Sequence, residues 1–557
     1  MSLKKEIISL LENMSELMEL DGENKFKISA FKNGANSLRQ INNLEELIER
    51  DELKNVKGIG KGILSVINEY IDEGEANDYV ELKSKIPNVM IEMLQIRGMG
   101  ARKIKQIYDV YAPNNLNDLI KLCQDKLIQK LKGFSEKSEL SILEEIRRIK
   151  ESSSKILLNR GFIIAEQVKK LLYNSKTVLQ IEISGELRRV REVIEQIELI
   201  CLVNDYNLFE EEATNLLLNS DLVLLNKNEN KLILLYSQKI RVVIHYFLNK
   251  SDFVKTNFVL TSANSSLSDL SLKNNYENER EIFAENKMNL IIPEMREHEV
   301  FEHFGKDKII NSDLSIENFK GFFHFHTTWS DGNNTLTEMV EEANKIGFNY
   351  FALCDHSKSA YYANGLKEDR ILSQHKEIDK LNKNSDLRIY KGIESDILKD
   401  GSLDYDNDIL SLFEFVVASI HSNFHLDEDE MAARIIKAVE NEHTDLLAHP
   451  TGRLLLRRDG YKLNIKKVID ACSQNDVAIE INANPNRLDL DWRNLFYARE
   501  KGCKFAINPD AHSLEGIHDI KYGIMIARKG GVQNSEVINC YSEGDFQKFI
   551  NRKIKRI

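Results

Sequence analysis

Apolar residues near the start of the chain recur with helical spacing: Ile7, Leu10, Leu11, Met14, Leu17 and Met18 fall on one face of a helix. Helical patterning continues to about residue 150. Two related units stand out there: Leu53-Lys-Asn-Val-Lys-Gly-Ile-Gly-Lys-Gly62, running into a periodic stretch Ile63 to Ile71, and Leu94-Gln-Ile-Arg-Gly-Met-Gly-Ala-Arg-Lys103, running into Ile104 to Tyr108. From Phe322 onward the pattern changes. Short apolar runs predict strands at Phe322–His326, Tyr350–Cys354, Leu387–Ile393, Phe415–Ile420, Asp445–Ala448, Val477–Ile481 and Lys504–Ile507. Helical patterns such as Thr335–Ile346, Asp429–Asn441 and Ile465–Asn475 separate most of them. About seven strand–helix repeats predict a parallel barrel, whose chemistry sits at the C-terminal ends of its strands.

With 557 residues the chain exceeds one hydrophobic core and predicts three or four domains. No apolar run has membrane-spanning length and the first residues lack a signal-peptide core, so no membrane association is expected. The six cysteines are scattered with no Cys-x-x-Cys pair, which points to a reducing cytoplasm and away from disulfides or thiolate zinc. A formal charge of −12 excludes a generally basic nucleic-acid binder, so any DNA contact must be local. Residues 286–318, charged and weakly patterned around Pro293, read as a linker. All 13 histidines lie from His245 onward, which places imidazole chemistry in the second half.

In each N-terminal unit two glycines bracket an apolar residue. Such a turn is tight and leaves free N–H groups at a helix N-terminus, where a phosphate can sit. Gly58, Gly60 and Lys61 form the first such contact, and Gly98, Gly100, Arg102 and Lys103 the second. A single turn of this kind would be a plain helix connection; two with flanking bases point to backbone DNA binding. They resemble the helix-hairpin-helix motif of DNA repair proteins, which grips phosphates without reading bases. A third unit, Leu131-Lys-Gly-Phe-Ser-Glu-Lys137, has Ser135 in place of its second glycine.

At the predicted strand ends stand residues that hold metals. His324 and His326, two apart on a strand, share a face roughly 6–7 Å apart at the Cα level, with Asp331 in the loop beyond. The plain alternative for this stretch is a strand with two polar residues facing water. The other ends carry Asp355-His356, Glu394, His421, His449-Pro450, and Asp510-Ala-His512. Histidines and carboxylates gathered this way suit divalent transition metals. The other histidines fall outside this pattern.

This set resembles the polymerase and histidinol phosphatase (PHP) domain over about 318–557, and the whole chain resembles bacterial family X polymerase/3′–5′ exonucleases. The resemblance implies a multidomain protein. All-α helix-hairpin-helix regions would span 1–75 and 76–150, an α+β nucleotidyltransferase-like palm and thumb 151–285, and a C-terminal α/β distorted seven-stranded barrel 319–557. It implies the ligands His324, His326, Asp331, His356, Glu394, His421, His449, Asp510 and His512, holding three metal ions with Glu394 bridging. Nine N/O ligands without sulfur suit Mn²⁺ or Zn²⁺, with Fe²⁺ also compatible, better than Mg²⁺ alone. Arg453, just past His449, is in reach for a phosphate clamp or an ion pair, and Asp355 for orienting His356.

In the palm, Ile183-Ser-Gly-Glu-Leu-Arg-Arg189 and the strand after it look like the family X stretch Gly-Ser-x-x-Arg-Arg followed by Asp-x-Asp. The three aspartates that hold two Mg²⁺ ions in such polymerases are replaced by Gln196, Glu198 and Val243. Leu260-Thr-Ser-Ala-Asn264 also lacks the family's Thr-Gly-Ser turn. An amide, one carboxylate and a valine do not supply the charge, so the palm is expected to have lost polymerisation and kept a DNA-positioning or structural role. The family's abasic-site lyase lysine falls on Val66, so that activity is not expected. The expected function is a metal-dependent 3′–5′ DNA exonuclease of repair; a small-molecule phosphatase, a non-catalytic DNA-binding scaffold and a residual polymerase are the alternatives.

Overall fold

The computed structural model describes residues 3–39, 41, 44–50, 52–217, 221–263, 267, 269–305, 308–384 and 387–552; Asn264 of the palm turn lies outside them. The chain divides into two compact units, Met1–Ser153 and Ser154–Ile557.

The first unit is helical. Its opening helix, Leu3–Asp21, is apolar on more than one face and serves two cores. Ile7, Leu11, Met14 and Met18 pack with Ile63, Val66 and Ile67. Leu17 and Leu20 pack with Met90, Met93, Ile104 and Ile107. The expected boundary at 75/76 therefore separates two cores that share one helix. Val66 is buried among apolar side chains and offers no amine.

The second unit begins with a five-stranded sheet. Its order in space is Val178–Ser184, Gln196–Val203, Ile240–Phe247, Lys231–Tyr236 and Leu222–Asn228, and the only parallel pair joins the second and third. The segment expected to be a linker is instead packed. Met295, Val300 and Leu314 are buried, and one apolar core runs without a break from Ile156 to Val537. Its charges read as solvent-facing because their partners are remote. Arg296 is fully buried, with Nη2 2.8 Å from Glu279, and Glu297 lies between Arg189 and Lys529.

Seven parallel strands follow in sequential order: Gly321–Phe323, Tyr350–Leu353, Arg388–Asp396, Phe415–Ser419, Leu446–Leu447, Ala478–Asn482 and Phe505–Asn508. A parallel bridge from Phe325 to Ala511 links the first strand's extension to the last, and buried Asn539 bonds both Gly321 and Ile507 at that seam. Alternate residues fill the barrel: Tyr350, Ala352 and Cys354, then Phe415 and Val417, over Phe546 of the C-terminal helix Glu543–Ile550. Those same inward positions, followed to the C-terminal ends, become Glu394, Glu480 and Asn508.

Lys529 ties the two sheets together. Its ammonium is buried and donates to the carbonyls of Arg189 (2.8 Å) and Val190 (3.3 Å) and to Glu297 (2.9 Å). Lys529→Ala leaves those acceptors underserved in a dry place, and urea denaturation should show a loss of about 3 kcal/mol. A change below about 1 kcal/mol would mean water replaces the ammonium.

Candidate metal centre

All nine residues expected as ligands meet at the C-terminal mouth of the barrel. Their ligand atoms fall into four overlapping groups, each within 4.8 Å: His326/Asp331/His356/His512, His324/Glu394/His449, His324/His326/Asp510 and His356/Glu394/His421. Glu394 joins two of these groups. Its Oε1 lies 3.1 Å from His449 Nε2 and 3.3 Å from both His324 Nε2 and His421 Nε2; its Oε2 lies 2.8 Å from His356 Nδ1. Asp510 Oδ1 stands 3.2 Å from His326 Nε2, and Asp331 Oδ1 3.3 Å from His512 Nε2.

The backbone reaches this convergence differently from the strand pairing expected for His324 and His326. The first strand stops at Phe323, and His324 adopts φ 50°. His449 (φ 25°) and Asp510 (φ 54°) are also left-handed. Strand alternation alone would send successive side chains to opposite faces. The left-handed residues break that rule and bring extra side chains to the mouth, at a cost of about 1–3 kcal/mol each. Gly332 lets the Asp331 loop close, because a Cβ there would sit 2.4 Å from the His326 carbonyl oxygen.

Two far-side carboxylates hold the rings. Glu480 accepts from His324 Nδ1 at 2.5 Å and Asp396 from His421 Nδ1 at 2.7 Å, so each ring turns its Nε2 toward Glu394. Neither acid was picked out from sequence; the signal available was a carboxylate at a strand's last residue, Asp396, or two before it, Glu480. Asp355 does not orient His356. It accepts from Thr327 N, Thr327 Oγ1, Ser330 Oγ and Gln374 Nε2, and thereby fastens the loop that carries Asp331.

The charges are mutually dependent. Burial alone would raise the Glu394 carboxyl, but His421, His356 and His324 hold it well below the usual range. Burial opposes charging His421, yet Glu394 and Asp396 lift it to about 10. His326, buried beside His512 and His356, falls to about 3. His324 Nε2, both nitrogens of His326, His449 Nδ1 and Glu394 Oε2 are buried without an aligned hydrogen bond among the described residues. Buried polar atoms are rarely left so, and convergent imidazole and carboxylate lone pairs fit divalent cations.

Arg453 is not at the site's disposal as a phosphate clamp. Its guanidinium bonds Asp491 at 2.5 Å and the carbonyls of Arg487 and Leu488. That network positions Arg487, whose Nε lies 3.6 Å from Asp510 Oδ2 and whose side chain makes no hydrogen bond among the described residues. Of the two roles open for Arg453, the ion pair is the one present, with Asp491.

In the palm, Glu198 pairs in register with Val243, and Gln196 Nε2 donates to Glu198 at 3.2 Å. Arg188 is engaged bidentately by Glu279, and Arg189 by Glu297, so both basic residues are neutralised within the fold. In the helical unit, Gly58 (φ 97°) and Gly98 (φ 79°) make the turns, Ile59 and Met99 are buried plugs, and Gly60 and Gly100 begin helices with no side-chain cap. Lys61 and Arg102 are exposed beside them; Lys103 is exposed too, with its Nζ 3.1 Å from the Gly98 carbonyl. In the third hairpin the Ser135 hydroxyl accepts from Ser138 N in a capping box, so its first turn is already served.

Profiles of known domains match a helix-hairpin-helix domain over residues 2–76, a SAM-like helix-hairpin-helix tandem over 90–148, and a PHP domain over 323–484. The chain is 34% identical to the DNA polymerase/3′–5′ exonuclease PolX of Bacillus subtilis (strain 168), covering 99% of both chains. The chain belongs to the PolX family. Its barrel half alone is also similar to two shorter proteins named as probable phosphatases. One is from Thermoanaerobacter sp. (strain X514), 26% identical over 42% of this chain and 95% of that protein. The other is from Acetivibrio thermocellus, 28% identical over 42% and 96%. Among the described residues of this PolX-family chain no helix is long and apolar enough to cross a membrane.

Glu480→Gln keeps the shape but weakens the acceptor that fixes His324. Equilibrium dialysis of the purified chain against Mn²⁺ should show affinity falling about 10- to 100-fold. Unchanged affinity would mean that His324 needs no partner to face the cluster.

Proposed function

We propose that this chain is a metal-dependent 3′–5′ exonuclease on DNA, with a PHP domain that does the chemistry and a palm that no longer polymerises. The observation that carries the reading is the set of unpaired buried lone pairs gathered about Glu394. His324, Glu394 and His449, His356 and His421, and His326, Asp331, Asp510 and His512 would hold divalent ions, three in number with Glu394 shared, and Mn²⁺ or Zn²⁺ suits the donors better than Mg²⁺. Such ions supply positive charge that activates water and neutralises phosphoryl oxygens.

The chain's own residues do the rest. Glu480 and Asp396 keep His324 and His421 in one orientation. Arg487, whose side chain hydrogen-bonds no described residue, is suited to meet a phosphate oxygen beside Asp510. Hydrolysis breaks the bond from phosphorus to the 3′ oxygen of the penultimate nucleotide, and the last nucleotide leaves as a 5′-monophosphate. The uncapped hairpins at Gly60 and Gly100, flanked by Lys61 and Arg102, suit sequence-independent contact with DNA phosphates. The shorter relatives are named probable phosphatases, but a phosphatase acting on a small molecule has no use for those hairpins. Repair in the cytoplasm is the setting this reading implies.

A 5′-labelled primer-template with Mn²⁺, with and without deoxynucleotides, tests the reading. The primer should shorten from its 3′ end, with no extension by deoxynucleotides, and the His324→Ala/His326→Ala variant should leave it intact. Arg487→Ala should cut kcat by about 100-fold, while Arg453→Lys should act mainly through stability. Primer extension would overturn the argument about Gln196, Glu198 and Val243; intact primer with wild type would move the reading to a small phosphate ester.

A further inference from the structure

The turn after His356 carries two adjacent aromatic side chains into solvent, Tyr361 at 86% exposure and Tyr362 at 65%. Single exposed apolar residues are ordinary on any surface. This pair is distinguished by its place and by the rigidity beneath it. The turn starts at a ligand position and returns to it, since Leu366 N donates to the His356 carbonyl at 2.8 Å. On one flank, Ser359 N bonds Asp404 at 2.6 Å and Ser359 Oγ bonds Asp396 at 2.7 Å. On the other, Asn364 Nδ2 donates to the Ser330 carbonyl at 3.3 Å, one residue from Asp331, and Arg370 donates to the Asn364 carbonyl at 2.7 Å. Gly365 has no room for a side chain, because a Cβ would lie 1.9 Å from the Ser357 oxygen. Ala360 and Ala363 are buried, so the small residues face in and the two phenols face out.

The rings stand edge to face, 6.1 Å apart, and neither phenol hydrogen-bonds a described residue. The turn that bears them is anchored on both sides of the cluster, by Ser359 to Asp396, the acid that holds His421, and by Asn364 to Ser330, the neighbour of Asp331. We propose that Tyr361 and Tyr362 form a stacking platform for the unpaired 3′-terminal base of the DNA strand whose last phosphodiester enters the cluster. Every base has a π face, so the platform serves all four without reading sequence. Tyrosine gives large contact area at little entropy cost, and a clamped turn loses less still on binding. The cluster lies below the rim, so a paired end must first open, and the stack offsets the cost of holding it open.

The inference rests on the exonuclease reading, and its test separates the two. The full-length chain with Mn²⁺ is given a 5′-labelled single strand ending in thymidine and the same strand ending in a tetrahydrofuran abasic nucleotide. Wild type should remove the thymidine end about 5- to 100-fold faster in kcat/KM, the range that base–aromatic stacking supports. Tyr361→Ala/Tyr362→Ala should bring the ratio near one, and Tyr361→Phe/Tyr362→Phe should keep it. An equal loss on both substrates, or an undiminished preference in the alanine variant, would overturn the platform. If wild type shortens neither strand, the exonuclease reading fails. The platform is then read by quenching of a 3′-terminal 2-aminopurine on binding, which must weaken in the alanine variant for the proposal to stand.

Discussion

A single carboxylate sets the terms for the barrel. Glu394 has no exposure to solvent, and its two oxygens lie within 3.6 Å of five imidazoles, those of His324, His326, His356, His421 and His449. Removing such an anion from water costs several kcal/mol even after relaxation, so the fold must surround it with positive charge or lose it. Protons meet part of that need, as the raised His421 and His324 indicate, but they compete with divalent cations for the same nitrogen lone pairs. The depressed His326 shows the limit: imidazoles packed this closely do not all hold protons at once.

Much of the surrounding structure serves that requirement. Three non-glycine residues of the mouth, His324, His449 and Asp510, stay left-handed because barrel closure over-determines them. His326 N bonds the Ala511 carbonyl across the seam, and His449 N is held by Glu480. The same Glu480 also fixes His324, so one buried acid sets one ligand's backbone and another's ring. Farther out, Arg453 and Asp491 anchor the loop bearing Arg487, and Glu192 from beside the palm sheet lies 3.3 Å from Arg493 in the same network. The palm therefore contributes to the barrel as structure.

The barrel and its nine converging residues were legible because the signal is local: each histidine or carboxylate sits next to a strand end, and the strand order is sequential. What was illegible depends on remote partners. The segment 286–318 looked like a linker because Arg296 and Glu297 carry charge, yet Glu279, Arg189 and Lys529 neutralise them from elsewhere in the chain. Asp355 looked like a partner for its neighbour His356, but strand geometry sends adjacent side chains apart and turns it onto Thr327 and Ser330. Arg453 looked closest to the ligands in sequence, whereas a turn over the next 34 residues brings Arg487 to Asp510 instead.

The two halves of the second unit show how loss and retention differ in physical terms. Where the palm's metal carboxylates would stand, the polar groups are mostly satisfied internally: Gln196 serves Glu198, Glu279 serves Arg188 and Arg296, and Glu297 serves Arg189. His245 is the exception, buried with neither ring nitrogen hydrogen-bonded to a described residue, but a single imidazole 3.7 Å from a single carboxylate is not a cation cage. In the barrel the reverse holds. The polar atoms left over are several and lie close together around Glu394, while Glu480 and Asp396 hold two of the rings from behind. A fold keeps such a concentrated deficit only if something outside the chain fills it, and that asymmetry sets the barrel apart from the palm as a place to hold cations.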